Sequence, residues 1–147
     1  MTLHCVFIDQ ENGPLAAKVT PSEHHQSYPG RLHGGVSAAL LDETIGRAIS
    51  VLEPDTWAVT VEINTRYKKP VPYGVALTVT GRVVENNRRL VTGEGSILLP
   101  DGEVAVTATA KYMKLKLSDI ADCEANGESW QCYPYESDPA EIELPEA

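Results

Sequence analysis

The chain is poor in several residue types, and each shortage removes a class of protein. A single Phe and two Met stand among 147 residues, and the 42% of apolar residues is still enough for the core of one domain. Three cysteines, Cys5, Cys123 and Cys132, form an odd set without C-x-x-C spacing. That argues against a zinc site and a disulfide framework, so reduced thiols and no metal are expected. No window approaches the roughly 18 apolar residues of a membrane-spanning helix. The opening MTLHCVFIDQ has neither a basic leader region nor a long apolar stretch, so a cytoplasmic protein without a membrane partner is expected. Basic residues are missing where acids are densest: residues 118–147 hold nine Asp or Glu and no Lys or Arg. The formal charge of −9 belongs to this tail, because the other twelve acids are matched by twelve basic residues. With no basic stripe interleaved with aromatics, nucleic acid is not an expected partner.

What is present centres on residues 28–52, YPGRLHGGVSAALLDETIGRAISVL. A Pro-Gly turn leads to His33-Gly34-Gly35, and glycines that weaken a helix interior are acceptable at its start, where free amides and the dipole favour negative charge. Val36, Leu40, Leu41, Ile45, Ala48, Ile49 and Leu52 then recur at helical spacing, with small residues Ala38, Ala39, Thr44, Gly46 and Ser50 between them. This is a helix buried on most sides. Glu43 and Arg47, four apart, are expected to pair on its wet face. Asp42 has no such partner, since position 46 is glycine and position 38 alanine. It is therefore either a catalytic base or an ordinary satisfied polar group. Nine residues separate Asp42 from His33, roughly 13 Å along a helix. If both act on one carbon, they come from different protomers of a twofold dimer.

Residues 3–8 and 15–19 form a hairpin about a turn at 11–14, and residues 21–30 are a loop delivering the chain to the helix, with His24 and His25 solvated rather than metal-ligating. After Pro54, residues 56–67 alternate, placing Trp57, Val59, Val61, Ile63 and Tyr67 toward the helix and Thr60, Glu62, Asn64 and Arg66 away from it. Pro70 and Pro72 mark a bulge or edge; a second long strand follows from Val75, turning at Asn86-Asn87, then strands at 90–99 and 103–115 around Asp101-Gly102. The sum is an α+β domain over residues 1–117, one long helix against an antiparallel meander of five or six strands. Residues 118–147 form an acidic tail expected to be partly disordered past a short turn near 119–125, although Trp130, Tyr133 and Tyr135 are rather aromatic for a solvated segment. Arg66, Lys68 and Lys69, like Arg88 and Arg89, serve either solubility or contact with phosphates.

HGG, a carboxylate nine residues after the His on a long helix, and downstream VTVEINTRYKKPVPYG with its P-x-x-x-G ending together resemble the hotdog-fold acyl-CoA thioesterases of the PaaI-like, phenylacetic-acid-degradation branch. The similarity spans about residues 13–115. It implies a hotdog fold, with a curved sheet wrapping the central helix, and hydrolysis of an acyl-CoA or acyl-carrier-protein thioester at a dimer interface in a dimer or dimer of dimers. It implies no cofactor, coenzyme A being part of the substrate. Carried over by position, Asp42 is general base or nucleophile, the Gly34 amide contacts the oxyanion, His33 helps position the carbonyl, and Thr60 orients water or the carboxylate. Gly35, Gln26, Ser27, Asn64, Arg66, Lys68 and Lys69 are the expected substrate contacts. Many relatives carry Asn where Ser27 stands, which leaves a rival reading: a non-catalytic module binding acyl-CoA or acyl-carrier protein. Hydratase chemistry would want an Asp-His pair in a motif not found here.

Overall fold

His33 starts the long helix. Its backbone is extended (φ −63°, ψ 133°), and its Nδ1 accepts from the Gly35 amide, an N-cap made by an unusual residue type. In a computed structural model, which describes residues 3–9, 13–120 and 135–145, the helix α1 runs Gly34–Leu52 and ends before Pro54. Strands β1 (Cys5–Ile8) and β2 (Leu15–Val19) precede it. After it come β3 (Trp57–Tyr67), β4 (Leu77–Asn86), β5 (Leu90–Leu98), β6 (Val104–Leu115) and a short helix α2 (Leu117–Ile120). The expected leading hairpin is there, Cys5 opposite Val19.

All six strands join one antiparallel sheet in the order β1-β2-β4-β5-β6-β3. The expected meander holds only for β4, β5 and β6; β3 crosses to the far edge and pairs with β6, the last strand. One face of the sheet receives α1, and Leu41, Ile45, Leu77, Val79, Val91, Ile97 and Val106 fill the space between. Each such side chain contributes about 1.5–3 kcal/mol by leaving water. Helix and sheet approach closely because Gly81 and Gly95 face each other across β4 and β5. A Cβ on Gly81 would stand 2.7 Å from the Thr44 carbonyl oxygen, and one on Gly95 would stand 2.9 Å from Ile45 Cγ1.

Two expectations need correction. The alternation in β3 is broken by a bulge between Thr60 and Glu62, where an extra residue, Val61, is absorbed. Ala58 and Thr60 therefore face the helix before it, and Ile63, Thr65 and Tyr67 after it, while Val61 is exposed. Thr60 does not face away. His25 is not solvated either: it is buried in the loop before α1, Nδ1 accepting from the Ser22 amide at 3.1 Å and its carbonyl accepting from His33 N at 2.8 Å. His24 is exposed.

Glu43 and Arg47 pair as expected at 2.6 Å, and the Arg47 guanidinium lies 4.5 Å from the Phe7 ring centre. Beyond α2, Tyr135 stacks on His4, whose Nε2 is 2.7 Å from Asp138 Oδ1. Cys123, Trp130, Cys132 and Tyr133 lie outside the described residues, as does most of the 119–125 turn. Among the described residues no helix is long and apolar enough to cross a membrane.

Candidate functional site

Asp42 is the ninth residue of α1, about two and a half turns from its start, half-buried, on the side where the helix meets β3 and β6. The bulge at Val61 sets what it meets. Thr60 and Tyr112 are direct cross-strand partners, so their side chains share a face, and that face is the helix side. The Thr60 hydroxyl donates to Asp42 Oδ1 at 2.9 Å and lies 3.1 Å from Oδ2. The Tyr112 hydroxyl donates to Oδ1 at 3.0 Å and to the Asp42 carbonyl oxygen at 2.9 Å. Burial first, and then the charge of Asp42, push the Tyr112 phenol above its usual range. Two neutral hydroxyls thus hold one carboxylate, with Oδ2 the less occupied oxygen.

A second constellation lies at the start of α1. Because His33 Nδ1 takes the Gly35 amide, and the Val36 and Ser37 amides donate to the His33 carbonyl, the Gly34 amide is left without an acceptor among the described residues. With Nδ1 accepting, the proton of neutral His33 is on Nε2. The Gly34 carbonyl accepts from the Tyr67 hydroxyl at 2.6 Å, and Leu32 N donates to the Val71 carbonyl, which ties the entry to the segment after β3. Beside this start is a cavity of about 470 Å³ lined by Arg31, Gly34, Ser37, Tyr67, Lys68 and Lys69. Lys69 also pairs with Glu103.

The expected residues therefore fall into separate groups. Asp42 and Thr60 are together; His33, Gly34 and Gly35 share the helix start. Gln26 and Ser27 are exposed in the loop beside it, Gln26 bridging to Leu32 and the Ser27 amide donating to the Arg31 carbonyl. Asn64 and Arg66 line a cavity of about 740 Å³ on the opposite face of the sheet, with Thr80, Arg82 and Thr107, and Lys68 borders both cavities. Tyr112 was not among the expected residues. It stands as one tyrosine in an alternating strand, and only its register with Thr60 gives it away. Among the described residues no group of three or more His, Cys, Asp or Glu could hold a metal ion.

Comparison with known proteins bears on the family and the fold. The model of the family described as "Thioesterase superfamily" matches residues 29–106. Acyl-coenzyme A thioesterase THEM4 of Xenopus laevis is 26% identical over 113 residues, 76% of this chain and 50% of that protein. Human acyl-coenzyme A thioesterase 13 is 28% identical over 78 residues, 53% of this chain and 56% of that protein. The chain spans about half the length of the curated relatives it matches. A Bacillus halodurans protein, solved with coenzyme A, superposes with a TM-score of 0.68 at 26% identity, covering 76% of this chain and 74% of its own. The helix against a six-stranded antiparallel sheet is the hotdog fold of these structures, and the chain belongs to the thioesterase superfamily.

Proposed function

We propose that this protein hydrolyses an acyl-CoA, or acyl-carrier-protein, thioester to the free acid and thiol, in the manner of the PaaI-like branch. The observation that carries this reading is a carboxylate held by two hydroxyls on one side of the helix, together with an unpartnered amide at the helix start. A thioester carbonyl seated on the Gly34 amide meets a donor and the positive end of α1, both favouring the oxyanion of a tetrahedral intermediate. His33 Nε2 and the Gln26–Ser27 loop flank that position. Asp42, with Thr60, then either takes a proton from water or attacks the carbonyl carbon; collapse of the intermediate breaks the C–S bond and expels a thiolate, which needs no strong acid.

The two constellations are some helix turns apart in one chain, so the reading requires a homodimer, alone or within a tetramer. The 11-residue strand β3 is the sheet edge that can supply it. Antiparallel pairing of β3 with its copy about a point between Ile63 and Asn64 sets Thr60 of one protomer opposite Tyr67 of the other. Asp42 lies at the first of these residues and Gly34 at the second, so each carboxylate comes to the partner's helix start. Lys68 and Lys69, beside the helix start, suit the phosphates of coenzyme A, and Arg66 and Asn64 contribute only if the ligand or a second dimer reaches the outer sheet face. A cytoplasmic enzyme without a cofactor completes the reading. The test is thiol release from a panel of short, medium, long and aryl acyl-CoAs. Turnover of any member is expected; binding by calorimetry without release from any of them would instead identify a non-catalytic acyl-thioester module.

A further inference from the structure

We propose that Tyr112 is a positioning residue for Asp42: its hydroxyl fixes the carboxylate through Oδ1, leaving Oδ2 as the oxygen that meets water or the thioester carbon. This rests on the thioesterase reading and adds to it a residue on a different element. Tyr112 is 2% exposed, rooted in β6 opposite Thr60, and its ring lies against the helix at Gly46, 3.5 Å from where a Cβ there would stand. The single proton of this buried phenol is shared between the Asp42 carbonyl oxygen at 2.9 Å and Oδ1 at 3.0 Å. The backbone carbonyl alone would satisfy it, so the placement against Oδ1 is what ties the ring to the carboxylate. Thr60 meets the same oxygen at 2.9 Å and Oδ2 at 3.1 Å, so the carboxylate is held from two strands, and Tyr112 is the donor that singles out Oδ1. Burial, and then the charge of Asp42, favour the protonated phenol, which makes Tyr112 a donor to the carboxylate and not a base.

Tyr112→Phe keeps the ring and removes the hydroxyl. It is assayed for kcat and KM on the best thioester of the panel, beside wild type and Asp42→Asn. The expected result is a fall in kcat of about tenfold or more, the size of a lost hydrogen bond to a charged group, with KM within about twofold and an unchanged oligomer. A kcat within about twofold of wild type, or a loss that follows lowered thermal stability and raised KM together, overturns the proposal. A second readout is independent of turnover: urea unfolding of Tyr112→Phe, Asp42→Ala and the double variant. The two losses should be non-additive, because each removes the same contact, and strictly additive losses overturn the proposal. Silence of wild type across the panel is a different result, the failure of the thioesterase reading itself.

Discussion

Gly34→Pro separates the proposed oxyanion contact from every structural duty of the helix start. Proline is favoured at the first helical position because the amide it deletes has no intrahelical acceptor, and here the Gly34 amide has none among the described residues. The residue before a proline is confined to extended backbone, and His33 at φ −63°, ψ 133° already has it. A Cβ at position 34 would meet the Tyr67 ring at 3.5 Å, an ordinary contact, and the Gly34 carbonyl stays free to accept from Tyr67. Folding should therefore be unharmed or favoured by about 0.4–1 kcal/mol, from the reduced freedom of the unfolded chain. Turnover should fall by roughly 10²–10³, about 2.7–4 kcal/mol, the usual loss when one oxyanion donor is removed. Thermal melting and kcat/KM on the same preparation decide it. A variant that melts at or above the wild-type temperature yet keeps kcat within about threefold refutes the role of this amide.

Other consequences are as specific. Gly81→Ala should destabilise by about 1–3 kcal/mol, because its Cβ would press on helix backbone at Thr44 that cannot swing aside, and the small gain in strand preference does not offset this; an unchanged urea midpoint would contradict the close approach. Glu53, which accepts from Lys114, Thr56 and Asn86, has its carboxyl held down to about 2 by those bonds, the Lys114 one foremost. A depressed folded-state value means stability present above the ordinary carboxylate range and lost as pH falls toward 2. Glu53→Gln should then be less stable than wild type at pH 7, with the gap closing between about 4.5 and 2 in urea titrations; a gap that persists at pH 2 would refute it. Cys5, whose thiol is pushed up to about 11 by burial and then by the charge of Glu43, should alkylate at pH 8 roughly a hundredfold more slowly than an exposed thiol in peptide mapping. Fast labelling of Cys5 would show that β1 is not seated on the helix.

The helix and most strand ends were legible because their signals are local: the periodic Leu and Ile positions from 36 to 52, the Asn86-Asn87 step and the Asp101-Gly102 turn each act within a few residues. The place of β3 was not, since nothing local says that the strand after the helix joins the last strand rather than the next one. Thr60 was recognised as a site position only through the family resemblance, and its facing was misread because Val61 continues an apolar alternation that the bulge interrupts. Tyr112 required two facts together, the register of β6 on β3 and the turn of the helix that presents Asp42. His25 looked like half of a solvated pair, whereas its burial depends on how the loop folds back on His33.

Subunit complementation decides whether one site is built from the helix start of one protomer and Asp42 of the other. Gly34→Pro and Asp42→Asn proteins, each inactive alone, are unfolded together, refolded as a 1:1 mixture and assayed for thiol release. Random pairing makes half of the dimers mixed, each with one site carrying both lesions and one carrying neither, so about a quarter of wild-type turnover should return. A mixture no more active than the two variants assayed apart, with mixed dimers demonstrated by mass, would contradict the shared site.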